Sequence, residues 1–336
     1  SAVVIPASSR APTQANVSAA TRPARRMCSI CRELNRSIIV AIVTPLGVEY
    51  LTAGTLSEEN PTPPFPATLF EIGSLTKVFT AAAASEMVEA KQLSWDTPIN
   101  AFIPLEANPP TWKGDSATIH DLAIHAGALP EEPLNWNPAN PRDPYAAYTE
   151  ENLYEALALA NFPFEPGSEY FFSDFGFGLL GHVLTLRANE SYDAIIQQYI
   201  AQPMRLKNTT SAPSDTQKKR LAPGHLGISP TNGWTFNNSM VGTAGLYSSA
   251  GDLARFLQTC LGYAQGPLLG TLQRMQIGIL PTNLDDTTAA YAWLVTKTKQ
   301  GDIVWLSGQT GGYTAFMGFN RQRQIGIAIL SNTAQP

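Results

Sequence analysis

The chain has 336 residues, 44% of them apolar and 15% charged, with a formal net charge of −5. That balance lacks the basic footprint a nucleic-acid partner requires, and no run of 18 apolar residues supplies a membrane span. Twenty-six prolines and 25 glycines in so sparsely charged a chain predict many loops around a sizeable core.

The first stretch, Ser1 to about Thr21, is rich in Ala, Pro, Ser and Thr and reads as a loose tail. A helix is predicted over about Arg22–Asn35. It carries Cys28 and Cys31, a C-x-x-C pair with no second pair or nearby histidine to complete a metal site. The segment Ser37–Thr44 is a strand, Pro45-Leu46-Gly47 a turn, and Val48–Ala53 the returning strand. After the proline-rich loop at 61–66, Thr68–Gly73 is extended. From Ser74 to Ala90 the pattern is helical, with an alanine run that suits a buried helix.

Between about 95 and 240, short helices alternate with Pro- and Asn-rich loops; the best of them cover Leu153–Ala160, Phe175–Arg187 and Tyr192–Ile200. The basic cluster Lys218-Lys219-Arg220 reads as a solvated loop. Another helix begins at Asp252, and strands return at Ala290–Thr296, Ile303–Ser307, Thr314–Asn320 and Ile325–Ser331. Strands at both ends with helices between predict that the two ends meet in one sheet. The fold class is therefore α/β of the α+β type: a mostly antiparallel sheet flanked by helices, with a large helical insertion. A tail (1–21) would precede a single domain (22–336). Its sheet part would span about 22–75 and 245–336, and its helical part about 76–244.

The segment that carries chemistry is Glu71-Ile72-Gly73-Ser74-Leu75-Thr76-Lys77. Ser74 follows a glycine and an extended stretch, and Lys77 at i+3 shares its face of the first helical turn. A serine hydroxyl is a poor nucleophile until a base takes its proton. A lysine becomes that base only when its ammonium form is disfavoured, as beside a buried apolar helix and a helix N-terminus. The plainer reading is an N-cap serine with a snorkelling lysine.

The chain resembles the serine β-lactamase and penicillin-binding protein superfamily, in particular the branch of class C β-lactamases, serine D-peptidases and family VIII esterases. Glu71–Lys77 is similar to the first motif of that family. Trp95-Asp96-Thr97-Pro98-Ile99 resembles the segment after the catalytic helix, and the stretches Thr118–Leu129 and Thr243–Ala254 resemble two further family segments. The resemblance covers about Ile38 to Asn332. It implies a β-lactamase/transpeptidase-like fold and an acyl-enzyme on Ser74, with β-lactam amides or related esters as substrates. A carboxylesterase, a D-aminopeptidase or a catalytically impaired penicillin-binding pseudoenzyme are the alternatives.

Two motifs depart from the family pattern. Pro166-Gly167 before and Leu179-Leu180-Gly181 after align Phe172 with the family tyrosine and Asp174 with its asparagine. Phe172 has no hydroxyl to carry a proton. Four readings stand open: an introduced substitution, Lys77 acting alone, Tyr170 or Tyr313 standing in, or binding without turnover. A carboxylate at Asp174 would favour the ammonium form of Lys77. The third motif is placed at Gln309-Thr310-Gly311-Gly312. The resemblance implies an oxyanion hole from the N–H groups of Ser74 and Gly312, and substrate contacts from Gln309, Thr310, Gly311 and Tyr313. Gln309 would replace a cation and so weaken binding of carboxylate-bearing β-lactams.

No cofactor is expected. The alternative is zinc held by His120, Asp121 and His125, although that spacing is a poor ligand pattern. Trp112, Trp136, Trp234 and Tyr145 sit in the loops of the insertion, as cleft lining or as packing. The expected partner is a small molecule: a β-lactam, an ester or a D-amino-acid amide. The resemblance implies a periplasmic or secreted protein whose leader has been removed. The sequence leaves the oligomeric state open.

Overall fold

The hydrophobic alternation at each end of the chain resolves into one sheet in the computed structural model, which describes residues 37–334. The tail at 1–21, the helix at Arg22–Asn35 and the Cys28–Cys31 pair lie outside the described residues. Strands β1 (Ile38–Thr44) and β2 (Gly47–Ala53) form the first hairpin, closed at Thr44↔Gly47. Gly47 takes φ +131°, a conformation side-chain-bearing residues rarely adopt.

The remaining strands are β3 (Leu69–Glu71), β4 (Gly224–Leu226), β5 (Ser229–Thr231), β6 (Tyr247–Ser249), β7 (Leu280–Pro281), β8 (Thr287–Ala289), β9 (Leu294–Thr296), β10 (Ile303–Gln309), β11 (Thr314–Asn320), β12 (Ile325–Ser331) and β13 (Thr333–Ala334). Eight of them form the main sheet, in the order β2-β1-β12-β11-β10-β9-β8-β7, with every pairing antiparallel. The register Ile38↔Ser331 joins the two ends of the described chain, as the sequence pattern predicts. Two small sheets, β13-β4-β5 and β3-β6, sit beside it.

Seven helices matter for the site: α1 (Thr76–Glu89), α2 (Ile119–Ala123), α3 (Glu150–Leu159), α4 (Asp174–Ala188), α5 (Tyr192–Ile196), α6 (Val241–Ala244) and α7 (Ala250–Cys260). Helix α1 is buried all round from Thr76 to Ser85, because its alanines let α4 and α6 approach closely. Phe79 of α1 meets Phe256 of α7 at 4.8 Å, and α7 packs on β1 and β12. Each such fully buried apolar side chain contributes about 1.5–3 kcal/mol. The architecture is thus α+β, a large antiparallel sheet flanked by helices.

Two elements differ from expectation. The strand predicted at Ala290–Thr296 is the end of a hairpin: Ala292 at φ +61° turns the chain, and Ala290 N–H donates to the Trp293 carbonyl at 2.8 Å. The helix predicted at Tyr192–Ile200 changes winding at Gln197–Ala201, a π-helical stretch between α5 and a last turn at Gln202–Met204.

Candidate active site

Strand β3 pairs with β6, and Ile72 N–H donates to the Leu246 carbonyl at 3.1 Å, so the chain reaches Gly73 held from both sides. Gly73 adopts φ +51°, and a Cβ on it would fall 2.6 Å from both N and O of Gln309. Only glycine lets the chain turn here so close to β10. The 3₁₀ turn Gly73–Leu75 then leads into α1, placing Lys77 one turn beyond Ser74. Lys77 is fully buried. Its Nζ lies 2.8 Å from Ser74 Oγ, 3.2 Å from the Thr243 carbonyl and 2.5 Å from Asp174 Oδ1. Those three acceptors match the three N–H donors of an ammonium group.

Asp174 opens α4. Ser173 caps that helix, its Oγ accepting from Gly176 N–H at 2.8 Å and donating to the Pro130 carbonyl at 2.6 Å. Burial pushes the Asp174 carboxyl up. The Lys77 charge and hydrogen bond, with a hydrogen bond from Thr243 Oγ1 at 2.9 Å, outweigh it and hold it below the usual range. Phe172 stands next to the pair, its ring centre 5.4 Å from Lys77 Nζ, and stacks on His125 at 4.7 Å. His125 has φ +57°, and its Nδ1 accepts from Ser173 N–H at 3.1 Å. Its proton therefore sits on Nε2, which is buried without a partner. Burial and then the Lys77 charge push this imidazole down to about 3, so it is neutral at physiological pH.

The third motif lies elsewhere than the sequence match suggests. Gly312 packs away from Ser74: a Cβ there would meet Thr231 Cγ2 at 2.8 Å and Gly224 Cα at 3.0 Å, in the β4–β5 sheet. Gly311 faces Trp234 and the Arg142 carbonyl, and Thr310 is buried beside Glu71. Tyr313 is 2% exposed and donates its hydroxyl to the Ala222 carbonyl at 2.7 Å, so neither substrate contact nor a stand-in for the family tyrosine falls to it. The residue that touches the nucleophile turn is Gly308, whose Cβ would lie 2.2 Å from the Ile72 carbonyl oxygen and 2.8 Å from Ser74 N. Gln309 follows it along the same edge and lines the cavity with Ser74.

Hydrogen-bond alternation explains this register. Thr310 N–H donates to Tyr313, so in the β10–β11 ladder residues 310, 308, 306 and 304 turn their backbone groups toward β11. Trp305, Ser307 and Gln309 turn theirs the other way, where β9 pairs only as far as Trp305. Beyond that point the edge of β10 runs past Ser74. The motif facing the nucleophile is therefore Leu306-Ser307-Gly308, and Leu306, not Gln309, stands where the resemblance calls for a cation.

Ser74, His125, Tyr170, Phe172 and the β10 edge line a cavity of about 380 Å³ together with Ala292, Trp293 and Leu294. Among the described residues, none that lines it is Asp, Glu, Lys or Arg. Burial raises the Tyr170 hydroxyl to about 12, so it too is neutral. Two carboxyls that the sequence reading gave no role lie close by. Glu71 accepts from Trp234 N–H at 3.0 Å, and burial raises it to about 7. Glu132, bonded by the Tyr145 hydroxyl at 3.3 Å, is also raised to about 7, by burial and then by Asp174.

The aromatic loops pack on one another. Tyr145 contacts Trp136, Trp234 and Phe236, and none of Trp112, Trp136, Trp234 and Tyr145 lines the cavity with Ser74. Of the residues considered for zinc, His120 Nδ1 lies 3.7 Å from Asp121 Oδ1, and its ring packs against Trp95 and Tyr291. Asp121 Oδ2 caps α2 through Thr118 N–H and Oγ1 at 2.8 and 2.7 Å, and His125 uses Nδ1 as above. Among the described residues no three His, Cys, Asp or Glu side chains converge on a metal-sized site.

A serine bonded to a buried lysine, beside the open edge of an antiparallel sheet, is the arrangement of a serine hydrolase-like enzyme of the β-lactamase and penicillin-binding protein fold. The chain belongs to the Beta-lactamase family, whose model matches residues 32–336. It is 28% identical over 272 residues to the D-alanyl-D-alanine-carboxypeptidase/endopeptidase AmpH of Escherichia coli (strain K12), covering 77% of this chain and 69% of that protein. It is 22% identical over 343 residues to a β-lactamase of Pseudomonas fluorescens, covering 88% of each. A β-lactamase/D-alanine carboxypeptidase from Yersinia pestis, complexed with citrate, superposes with a TM-score of 0.80 at 21% identity, covering 96% of this chain and 94% of that one. A class C β-lactamase from Rhodobacter sphaeroides gives 0.77 at 21% identity, covering 95% and 94%. No helix among the described residues is long and apolar enough to cross a membrane.

Proposed function

We propose that the protein is a serine hydrolase that forms an acyl-enzyme on Ser74 with a β-lactam or a related ester. The observation that carries this reading is the 2.8 Å contact of Lys77 Nζ with Ser74 Oγ at the mouth of the cavity. Ser74 Oγ attacks the substrate carbonyl carbon, and its proton passes to Lys77 in the neutral form. The carbonyl oxygen gains the negative charge, which hydrogen bonds from the N–H groups of Ser74, in a 3₁₀ turn, and Gln309, on β10, would stabilise. An amine leaving group takes that proton as it departs, whereas a phenolate departs as the anion and leaves the proton on Lys77, which gives it up to solvent. Water then attacks the ester carbon and returns Ser74 to its free form.

Asp174 holds Lys77 Nζ in a 2.5 Å ion pair and so competes with Ser74 for the amine. Phe172 offers no hydroxyl to the leaving group. These two features favour slow turnover, and they support a second reading in which the protein acylates and holds its ligand. Intact-mass measurement after exposure to a fluorophosphonate, benzylpenicillin and a p-nitrophenyl ester tests both. One adduct on the wild type and none on Ser74→Ala is expected. Release of p-nitrophenol beyond one equivalent supports hydrolysis, and a single burst supports the second reading. No adduct with any of the three probes overturns the acyl-enzyme assignment.

A further inference from the structure

We infer that the site selects uncharged esters and discriminates against substrates that carry a carboxylate beside the scissile bond. The inference rests on the acyl-enzyme reading above and narrows its substrate class. It starts from the β10 edge. Leu306, 6% exposed, stands two residues before the glycine that touches Ser74, at the position where a cation would meet a substrate carboxylate. Leu306 and its neighbour Trp305 line the cavity, as do Trp293 and Leu294. A carboxylate entering this space meets the apolar Trp293, Leu294, Trp305 and Leu306 and only uncharged polar groups, among them Ser307, Gln309 and Thr314, so its desolvation is offset by hydrogen bonds alone and by no paired charge. An ester or methyl group loses little hydration and gains contact with the same walls.

Nearby charges do not reverse this. Lys77 is enclosed by its three acceptors, and Arg142 approaches the strand end through its backbone carbonyl, beside Gly311. The charge of Lys77 is balanced by its ion pair with Asp174. The leaving group is chosen by Phe172. An amide nitrogen must take a proton as its bond to carbon breaks, whereas a phenolate or activated alkoxide leaves as the anion. With no hydroxyl at Phe172 to deliver that proton, esters are favoured over amides.

The test uses 3-carboxyphenyl butyrate and its methyl ester, which differ in charge and by one methyl group, each rate being divided by that of its uncatalysed hydrolysis. Both give the same butyryl adduct on Ser74, so intact mass reports the acylation rate of each. The methyl ester is expected to acylate the wild type about tenfold faster or more, the scale of one lost charged hydrogen bond. Leu306→Lys is expected to shift that ratio toward the carboxylate probe by a similar factor. Equal or faster acylation by the carboxylate probe in the wild type overturns the inference, with no need of the variant. If that preference vanishes in Arg142→Ala, Arg142 supplies the missing cation, and the inference is equally overturned. A wild type that takes no adduct from either probe or from a fluorophosphonate overturns the acyl-enzyme reading itself, an outcome distinct from a reversed ratio.

Discussion

Replacing Phe172 with tyrosine restores one oxygen at the centre of the site, and its effect follows from what surrounds the ring. The ring is fixed by stacking on His125 at 4.7 Å, and its centre lies 5.4 Å from Lys77 Nζ. The added hydroxyl finds polar neighbours already present. His125 Nε2 lacks a partner, and Ser74, bonded to Lys77, lines the same cavity as Phe172. Stability should therefore change by less than about 1 kcal/mol, since one new hydrogen bond offsets one newly buried hydroxyl. A placed proton carrier is worth roughly 10² to 10⁴ in rate, or about 2.7–5.4 kcal/mol at 1.36 kcal/mol per decade.

Asp174 limits the gain because its 2.5 Å contact engages Lys77 Nζ on the same proton path, so about 10² is expected for the single change. Adding Asp174→Asn releases that constraint, and the double variant should exceed the product of the singles, since both act on one proton path. The assay is kcat/KM on p-nitrophenyl butyrate, with nitrocefin in parallel and a thermal melt for each variant. A rate within threefold of wild type, with an unchanged melt, would show that proton transfer at this position does not limit the reaction.

The strand register makes an independent expectation: Gly308→Ala should abolish Ser74 labelling by a fluorophosphonate, because its Cβ would sit 2.2 Å from the Ile72 carbonyl oxygen. Gly312→Ala, whose contacts are in the β4–β5 sheet, should lower the melting temperature yet keep the labelling rate within about threefold; equal loss in both would return the oxyanion assignment to Gly312. The lowered Asp174 carboxyl adds stability above its unfolded value of about 3.9, and that contribution is lost as pH falls through the lower folded value. Asp174→Asn should therefore remove part of the acid-side fall in melting temperature below about pH 4. Glu71 is raised from 4.5 to about 7, so the folded state binds the extra proton and stability declines as pH rises between those values. Glu71→Gln should flatten that decline and gain up to roughly 3 kcal/mol at pH 8, at 1.36 kcal/mol per unit, as read from urea melts at pH 4, 6 and 8.

The parts of this site legible in the sequence are those set by local periodicity. Ser74 and Lys77 share a face because a helix repeats every 3.6 residues, and Thr314–Asn320 and Ile325–Ser331 appear as strands at the bounds their pattern gives. What was illegible depends on which distant segments touch. The text Gln309-Thr310-Gly311-Gly312 matches a motif, but Ser307-Gly308 also ends a strand with a glycine. Only contact with Ile72 and Ser74 tells the two apart. Glu71 in an extended segment reads as an ordinary polar position; the approach of Gly233 and Trp234 is what buries it. Ala292 gives no sign of its positive φ, since alanine is not a turn residue, and so a hairpin reads as one strand.

Phe172, Asp174 and Leu306 are best understood as one set. Against the pattern the resemblance implies, Phe172 lacks a proton-carrying hydroxyl, Asp174 holds Lys77 in an ion pair, and Leu306 offers no charge to a carboxylate. Each makes amide hydrolysis on a charged substrate harder. None disturbs the features that bring Ser74 to the strand: Gly73 at φ +51°, the bare Gly308, and the 2.8 Å Lys77–Ser74 contact. An activated, uncharged ester needs those retained features most and the lost ones least, because its leaving group departs without a delivered proton. If the set reflected decay of the site alone, such esters would exceed amides only by their greater intrinsic reactivity. The ratio of acylation rates for p-nitrophenyl butyrate and p-nitrobutyranilide, which share an acyl group, separates the two cases. A ratio well above that of the uncatalysed reactions fits a site turned toward esters, and a ratio equal to it fits a site that has only lost its chemistry.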